Sequence, residues 1–232
     1  MIRAILFDMG GTLDGAGHWL ERFVALYRSF GMELRRESIR RAFDEAESRS
    51  ATEETIASAD LQGMIDLHVK WQLAHLCLSD PRLEQHLVGG FITGVRKAAV
   101  ANVRLLADLA ARGLELGVVS NACGNVDKLC HDLGYATFLS VIVDSRRVGF
   151  YKPDPAIFLH AAEKLGRASG EIMMVGDSFE RDIAPAKQVG MKTAWLNEDE
   201  PGKPFDASLV DLRLRRLADL PGALSSLAPA VA

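Results

Sequence analysis

Polar side chains stand where several short apolar runs of this sequence end. Asp8, Ser120 and Asp177 follow three such runs, and Lys152 follows a fourth on a loop. In an open parallel sheet, ligands bind in the crevice beyond the carboxyl ends of the strands. Two carboxylates facing each other there favour a hard cation such as Mg²⁺, which prefers oxygen ligands. A hydroxyl and an ammonium group beside them complete a set suited to phosphoryl transfer, in which one carboxylate attacks and the positive charges stabilise the phosphoryl oxygens.

The elements that must position these residues alternate between strands and helices. The predicted strands span residues 2–7, 114–119, 138–143, 172–175 and 192–196. The helices predicted between them span residues 100–111, 125–133, 155–165 and 183–189, and each is followed by a glycine expected to end it. This alternation predicts an α/β fold with a Rossmann-like, doubly wound parallel sheet.

One region interrupts the alternation, because residues 15–90 contain no convincing strand. We predict that it forms an inserted helical cap domain, with residues 1–14 and 91–232 forming the α/β core domain. Two apolar stripes at helical spacing support the cap. They consist of Trp19, Phe23, Leu26, Tyr27 and Phe30, and of Met64, Leu67, Trp71, Ala74 and Leu78.

Composition narrows the classes of partner. The chain has 232 residues, 48% of them apolar, and a net charge of −4. Arginines cluster within residues 33–45, but acidic residues alternate with them, which indicates a solvated helix face and no nucleic-acid partner. No run of about 18 apolar residues occurs, so we expect no membrane partner and a cytoplasmic location. The three scattered cysteines are interpreted as reduced structural thiols.

Four segments also carry a resemblance to a known family. They are FDMGGTL at 7–13, VVSN at 118–121, GFYKPDPAIF at 149–158 and VGDSFERD at 175–182. In this order they resemble the four motifs of the haloacid dehalogenase (HAD)-like hydrolase superfamily. The helical insert between the first two motifs resembles the cap of its phosphoglycolate-phosphatase-like branch.

The resemblance implies a Mg²⁺-dependent phosphatase of a small phosphorylated metabolite. The Trp and Met content of the predicted cap permits either a monomer or a homodimer. Asp8 would be the nucleophile that forms an aspartyl-phosphate, with Lys152 neutralising it. The phosphoryl group would be bound by Ser120, Asn121, Lys152 and Gly11. Mg²⁺ would be bound by Asp8, the carbonyl of Gly10, Asp177 and, directly or through water, Asp182.

The sequence departs from the family at one catalytic position. Related phosphatases carry an acid/base aspartate two residues after the nucleophile, and here that residue is Gly10. Such general acid–base catalysis contributes roughly 10²–10⁴-fold to the rate. Asp14, His18 and Glu21 are candidates to replace it.

Gly10 also leaves other activities open. One alternative is a phospho-ligand-binding protein with little or no catalysis. Relatives that cleave carbon–halogen bonds lack the second aspartate too, but they also lack the metal-binding Gly-Asp pair that stands here at 176–177. Cleavage of a carbon–phosphorus bond would need a cap lysine, and Lys70 is the only lysine of the predicted cap.

Substrate identity depends on the cap, where the sequence offers no recognisable specificity motif. Trp19, His68, Trp71 and His75 are candidates for lining the cavity. Trp71 is interpreted as core packing, and His68 and His75 as partly exposed.

Overall fold

A six-stranded parallel sheet forms the centre of the computed structural model, which describes residues 1–197 and 205–226. Its strands are β1 (Ala4–Phe7), β2 (Glu115–Ser120), β3 (Leu139–Asp144), β4 (Ile172–Gly176), β5 (Lys192–Leu196) and β6 (Leu212–Leu214). Their order across the sheet is β3-β2-β1-β4-β5-β6, and every pairing is parallel. The predicted α/β, doubly wound fold is confirmed.

β1 shows why these short runs become strands. All four of its residues are fully buried. Ile5 and Phe7 belong to one apolar cluster, while Ala4 and Leu6 belong to a second. Because alternate side chains of a strand point to opposite faces, an apolar residue at every position predicts a sheet covered on both sides.

The insert is helical, as predicted. It contains α1 (Trp19–Ser29), α2 (Arg36–Thr52), α3 (Leu61–His75) and the first part of α4 (Pro81–Ala111). Residues 15–90, all of them described, contain no strand. The helix predicted at 100–111 is only the last part of α4, which runs without interruption from the insert into the core. The boundary at residue 90 therefore falls inside a helix.

α3 buries a different face from the one its apolar residues predicted. Met64 is buried, but Ala74 is exposed, and the buried face includes two polar residues, His68 and Gln72. The prediction of a partly exposed His68 was wrong, since its exposed fraction is 1%. His75 is exposed.

Five further helices follow in the described part of the core: α5 (Val126–Asp132), α6 (Ser145–Val148), α7 (Pro155–Leu165), α8 (Ala184–Gln188) and α9 (Leu220–Ser226). α7 matches its predicted bounds. It begins at Asp154, whose side chain accepts a hydrogen bond from the N–H of Ala156 at 2.9 Å, and it ends at Gly166 with a left-handed φ of 62°.

The sheet has a topological switch point beside β1. From β1 the chain order runs through β2 to β3 on one side and from β4 to β6 on the other. Loops leaving the strands on either side diverge, and this opens a crevice at their carboxyl ends. Asp8 directly follows β1 and Asp177 directly follows β4, so both lie at that crevice.

No described helix combines the length and the apolar character that crossing a bilayer requires.

Candidate active site

Three carboxylates meet at the switch point. Asp8, Asp177 and Asp182 each offer one oxygen, and these oxygens lie within 4.8 Å of one another. Asp182 belongs to a helical turn, Phe179–Ile183, that follows β4. Residues that are distant in sequence therefore converge here, as the strand-end argument predicted.

Lys152 brings a positive charge into this cluster. Its Nζ donates hydrogen bonds to Oδ1 of Asp8 at 2.7 Å and to Oδ1 of Asp182 at 2.6 Å, and its side chain is only 3% exposed. Asn121 holds the lysine backbone from both sides. Its Oδ1 accepts from the Lys152 N–H at 2.7 Å, and its Nδ2 donates to the Lys152 carbonyl at 2.8 Å. Asn121 thus positions Lys152 with its side chain.

The backbone of Asp177 is fixed by a hydrogen bond, but one oxygen of its carboxylate has no hydrogen-bond partner among the described residues. Its carbonyl accepts a hydrogen bond from Nε1 of Trp195 at 2.9 Å. Its Oδ1 is buried and has no hydrogen-bond partner in the described part of the chain. A buried oxygen without a partner costs free energy that a coordinated cation would remove. The all-oxygen donor set and this unsatisfied atom fit a hard divalent cation such as Mg²⁺.

Two glycines allow the loops to approach this closely. Gly11 has a φ of 78°, and a Cβ there would collide with the Asp177 carboxylate. A Cβ on Gly176 would collide in the same way with the side chain of Asp182. Any larger residue at either position would push the carboxylates apart.

Burial and mutual repulsion alter the acidity of the cluster. Burial raises the pKa of Asp8 to about 7, since Lys152 only partly offsets it and the neighbouring carboxylates add to it. Burial and the charge of Asp182 raise the pKa of Asp177 to about 6. Burial lowers the pKa of Lys152, but Asp182 and Asp8 outweigh burial and the net shift is upward.

The loop that carries Asp8 is anchored at Leu13. Its carbonyl accepts one hydrogen bond from Nδ2 of Asn102 and another from the hydroxyl of Tyr135, both at 2.8 Å. All three residues are buried. The first strand-to-helix loop is therefore fixed to α4 and to the segment after α5.

A cavity of about 150 Å³ lies over Asp8. Its core-side wall includes Asp8, Gly10, Ser120, Asn121 and Lys152. Its other wall, from the insert and the turn after β4, includes His18, Trp19, Glu47, Ser50, His68 and Arg181.

Some predicted residues lie elsewhere. Trp71, His75 and Lys70 are not among the residues that line the cavity. Gly11 is not among them either, and its N–H donates to Oδ1 of Asp14 at 2.8 Å. Sequence reasoning did not identify Glu47 or Arg181. Each lies among other charged residues, so its sequence context does not distinguish it from a residue exposed to solvent.

The three candidates for an acid/base group differ in position. Glu21 pairs with Arg36 at the surface, which lowers the Glu21 pKa. Asp14 is buried among the N–H of Gly11, the indole of Trp19 and the guanidinium of Arg22. Burial raises the Asp14 pKa to about 6, but Asp14 is not among the residues that line the cavity.

His18 is the candidate that faces the cavity. Its Nδ1 accepts the N–H of Leu20 at 3.2 Å, so the neutral ring carries its proton on Nε2. Burial is the largest cause of a lowered His18 pKa. The ring is therefore a hydrogen-bond donor near neutral pH.

Fold and site together define a class: parallel α/β proteins with an acidic centre at the switch point beneath a helical insert. A family model described as haloacid dehalogenase-like hydrolase matches residues 2–190. The chain belongs to this family and is a hydrolase.

Several relatives of this chain are named as phosphatases. The chain is 29% identical over 211 residues to a glyceraldehyde 3-phosphate phosphatase of Methanopyrus kandleri, a match covering 84% of each protein. It is 33% identical over 120 residues to a phosphoserine phosphatase of Thermus thermophilus, covering 49% of this chain and 48% of the relative. Among solved structures, a HAD phosphatase from Thermococcus onnurineus has a TM-score of 0.57 at 23% identity, with 96% and 98% of the chains covered. The L-2-haloacid dehalogenase from Xanthobacter autotrophicus has a TM-score of 0.61 at 18% identity, with 98% and 100% covered. At these identities the structures support the fold alone.

Proposed function

We propose that this hydrolase is a Mg²⁺-dependent phosphatase of a small phosphorylated metabolite. The observation that carries the proposal is the cluster of Asp8, Asp177 and Asp182, with one oxygen of each within 4.8 Å of the others. A phosphoryl group is anionic, so an acidic cluster can receive it only if cations accompany it. Lys152 supplies one positive charge, and the buried Asp177 oxygen, which has no partner among the described residues, offers a place for a second.

Asp8 would act as the nucleophile. A carboxylate oxygen would form a bond to phosphorus while the bond from phosphorus to the ester oxygen breaks and its electron pair leaves with that oxygen. Lys152 and the Ser120 hydroxyl would hold the transferring group in line. Water would then attack phosphorus, releasing inorganic phosphate and regenerating the Asp8 carboxylate. Asp8, Asp177 and the Gly10 carbonyl, with Asp182 in support, would hold Mg²⁺, and the bound ion would supply positive charge that offsets the negative charge of the phosphoryl group.

Gly10 limits which esters react well. Without a carboxyl at this position, the departing oxygen leaves without its usual proton donor. Among esters that bind the cavity equally well, we therefore propose faster hydrolysis of phosphates whose leaving group is already a weak base, such as acyl and aryl phosphates.

Cavity size supports a small substrate. About 150 Å³ is below the roughly 300–1,000 Å³ of typical ligand pockets. The relatives named for glyceraldehyde 3-phosphate and phosphoserine are consistent with a phosphorylated metabolite of a few carbons. A cytoplasmic location remains the expectation from sequence.

Phosphate release from p-nitrophenyl phosphate and acetyl phosphate, with and without Mg²⁺, tests the proposal. We expect turnover only with the metal, and none in Asp8→Asn, which keeps the size of the side chain but not its nucleophilicity. Chloride release from a 2-haloacid without metal would overturn the proposal in favour of dehalogenation.

Gly10 specifically favours one second candidate, a protein that binds a phosphorylated ligand without hydrolysing it. That function predicts Mg²⁺-dependent stabilisation by inorganic phosphate in a thermal-shift assay, together with no phosphate release from any ester.

A further inference from the structure

A chain of buried polar residues crosses the interior of the insert and ends at the cavity. The hydroxyl of Tyr27 lies 3.4 Å from Oε1 of Gln72, and Nε2 of Gln72 lies 2.9 Å from Nδ1 of His68. Nε2 of His68 lies 3.0 Å from Oε1 of Glu47. Tyr27 and Gln72 are fully buried and His68 is 1% exposed, while half of the Glu47 side chain is exposed.

The donor and acceptor of every hydrogen bond in this series of residues follow from its last residue, Glu47. An ionised carboxylate only accepts, so His68 donates from Nε2 to Glu47. In a neutral imidazole Nδ1 then accepts, and Gln72 must present its NH₂ to it. The Gln72 carbonyl oxygen is left to accept the hydroxyl proton of Tyr27. Every donor in the series is therefore oriented toward Glu47, and each buried polar atom of Tyr27, Gln72 and His68 has a hydrogen-bond partner.

Packing alone does not explain this chain. The neighbours of His68 are apolar and aromatic, including Phe23 stacked at 5.5 Å and Phe43 at 5.2 Å between ring centroids. Apolar side chains would fill the same space without the cost of burying polar groups. The result of the arrangement is a carboxylate held at one place on the cavity wall.

Glu47 is free to contact a ligand. Within residues 1–197 and 205–226, no lysine or arginine forms an ion pair with it. It lines the cavity together with Ser50, one turn further along α2 in the direction of its C-terminus, and faces the same space as Asp8. A carboxylate accepts hydrogen bonds only, so it attracts ammonium and hydroxyl groups and repels carboxylates.

We propose that Glu47 determines specificity for a small phosphate monoester that carries a primary ammonium group a few bonds from the phosphate. His68, Gln72 and Tyr27 are positioning residues that hold Glu47 in place. This inference rests on the phosphatase function and names its substrate class. A hydroxyl and an ammonium group can each donate a charge-assisted hydrogen bond to the Glu47 carboxylate, but only the ammonium adds the attraction of a positive charge, so an ammonium group is preferred to a hydroxyl.

A matched series of two-carbon esters tests the proposal: 2-aminoethyl, 2-hydroxyethyl and ethyl phosphate, together with phosphoglycolate. We expect kcat/KM for the aminoethyl ester to exceed that for ethyl phosphate by about 10- to 100-fold. In Glu47→Gln, kcat/KM for the aminoethyl ester should fall to about that for ethyl phosphate, so that the ratio is lost. Glu37→Gln, a surface variant on the same helix, should keep the ratio.

Three outcomes overturn the inference. The first is a Glu47→Gln loss that is equal on ethyl and aminoethyl phosphate, which marks a structural role. The second is a wild-type preference for phosphoglycolate, whose carboxylate would contact Arg181 across the cavity. The third is a preference for the hydroxyethyl ester over the aminoethyl ester.

Failure of the phosphatase function is distinguishable from these outcomes. If no ester is hydrolysed, calorimetric Kd values for the same compounds with Mg²⁺ replace kcat/KM. The proposal then requires that the aminoethyl ester bind about 10- to 100-fold more tightly than ethyl phosphate, and that Glu47→Gln abolish this difference. Tyr27→Phe, which removes only the first donor of the chain, should reduce the ratio partially and leave the fold intact.

Discussion

Gly10 is the residue that most affects the chemistry, and its surroundings leave room for a side chain. Its φ of −71° and ψ of 122° are accessible to any L-residue. Among residues 1–197 and 205–226, a Cβ there would have a single neighbour within 4 Å, Nε1 of Trp19 at 3.8 Å. The acid/base group is therefore absent only because residue 10 has no side chain, and the backbone conformation at this position is one that an aspartate can adopt.

Replacing Gly10 by aspartate should increase hydrolysis of alkyl phosphates. The new carboxyl can protonate the leaving oxygen, so we expect kcat/KM to rise by roughly 10- to 100-fold, part of the range for general acid catalysis. Aryl phosphates should gain little. Gly10→Asn is the control, because it has the same shape and no transferable proton. An unchanged rate for Gly10→Asp, or an equal gain in both variants, would count against the mechanism.

Lys152 should contribute strongly to stability without metal, because it separates two buried carboxylates. Lys152→Met leaves Asp8 and Asp182 without their cation, and losing one partner of a buried pair costs about 3–5 kcal/mol. Urea denaturation of the Mg²⁺-free protein measures the loss. Lys70→Met, at an exposed position of α3, should change stability by less than about 0.5 kcal/mol. Equal effects of the two substitutions would refute this assignment of charge.

Site residues that end apolar runs could be found from sequence, and on the insert the candidates His18, Trp19 and His68 do line the cavity, but Glu47 was not identified. Asp8, Ser120 and Asp177 each stand where an apolar run ends, at the carboxyl end of a strand, and ligands of parallel sheets bind at these ends. Glu47 lies in a segment where charged residues are frequent, so nothing in the sequence separates it from solvated neighbours. His68 was misplaced for a related reason: a polar residue on a helix is assumed to face water unless its partners are known.

At the scale of elements, the carbonyl of Leu13 joins the loop of Asp8 to α4 and to the chain after α5. Asn102→Ala and Tyr135→Phe each remove one donor and should each cost about 0.5–1.5 kcal/mol. The double variant leaves a buried carbonyl unpaired, so its loss should exceed the sum by about 1 kcal/mol.

A double-mutant cycle by urea denaturation gives this coupling energy. Tyr151→Phe, at a tyrosine that is 52% exposed, is the control and should have little effect. Strict additivity would mean that the two donors do not share Leu13.

Local patterns predicted the core elements well. Five strands lie within two residues of their predicted bounds, because each is a short apolar run bounded by polar residues or glycine. β6 was not predicted, since three residues are too few to show a pattern. The full length of α4 was missed because paired glycines at 89–90 read as a boundary, whereas the helix continues through them. The burial of α3 depends on hydrogen-bond partners on other helices, which no local pattern reveals.

At the scale of the whole molecule, Mg²⁺ should couple to stability and to pH. In the metal-free protein the raised pKa values of Asp8, about 7, and Asp177, about 6, mean that the folded state binds more protons than the unfolded state. Their contribution to stability is therefore complete below about pH 4 and is lost as the pH rises through 6 to 7. Mg²⁺ requires the ionised carboxylates, so its affinity increases over the same interval.

Thermal unfolding at pH 5 and pH 8 checks this expectation. At a concentration 100 times its Kd at pH 8, Mg²⁺ should stabilise the protein by about 2.7 kcal/mol, and much less at pH 5. Asp177→Asn should abolish most of the increment at pH 8. A metal effect that is independent of pH would show that the ion binds elsewhere.

The uninterrupted course of α4 has a mechanical consequence. About 30 Å of helix separates Asn102, hydrogen-bonded to the loop of the nucleophile, from the far end at Pro81. If this part of α4 moves as a rigid body, a tilt of about 5° at Asn102 would displace the end of the helix at Pro81 by roughly 3 Å. A small adjustment of α4 near Asn102 would therefore produce a larger displacement at the end of the helix near Pro81.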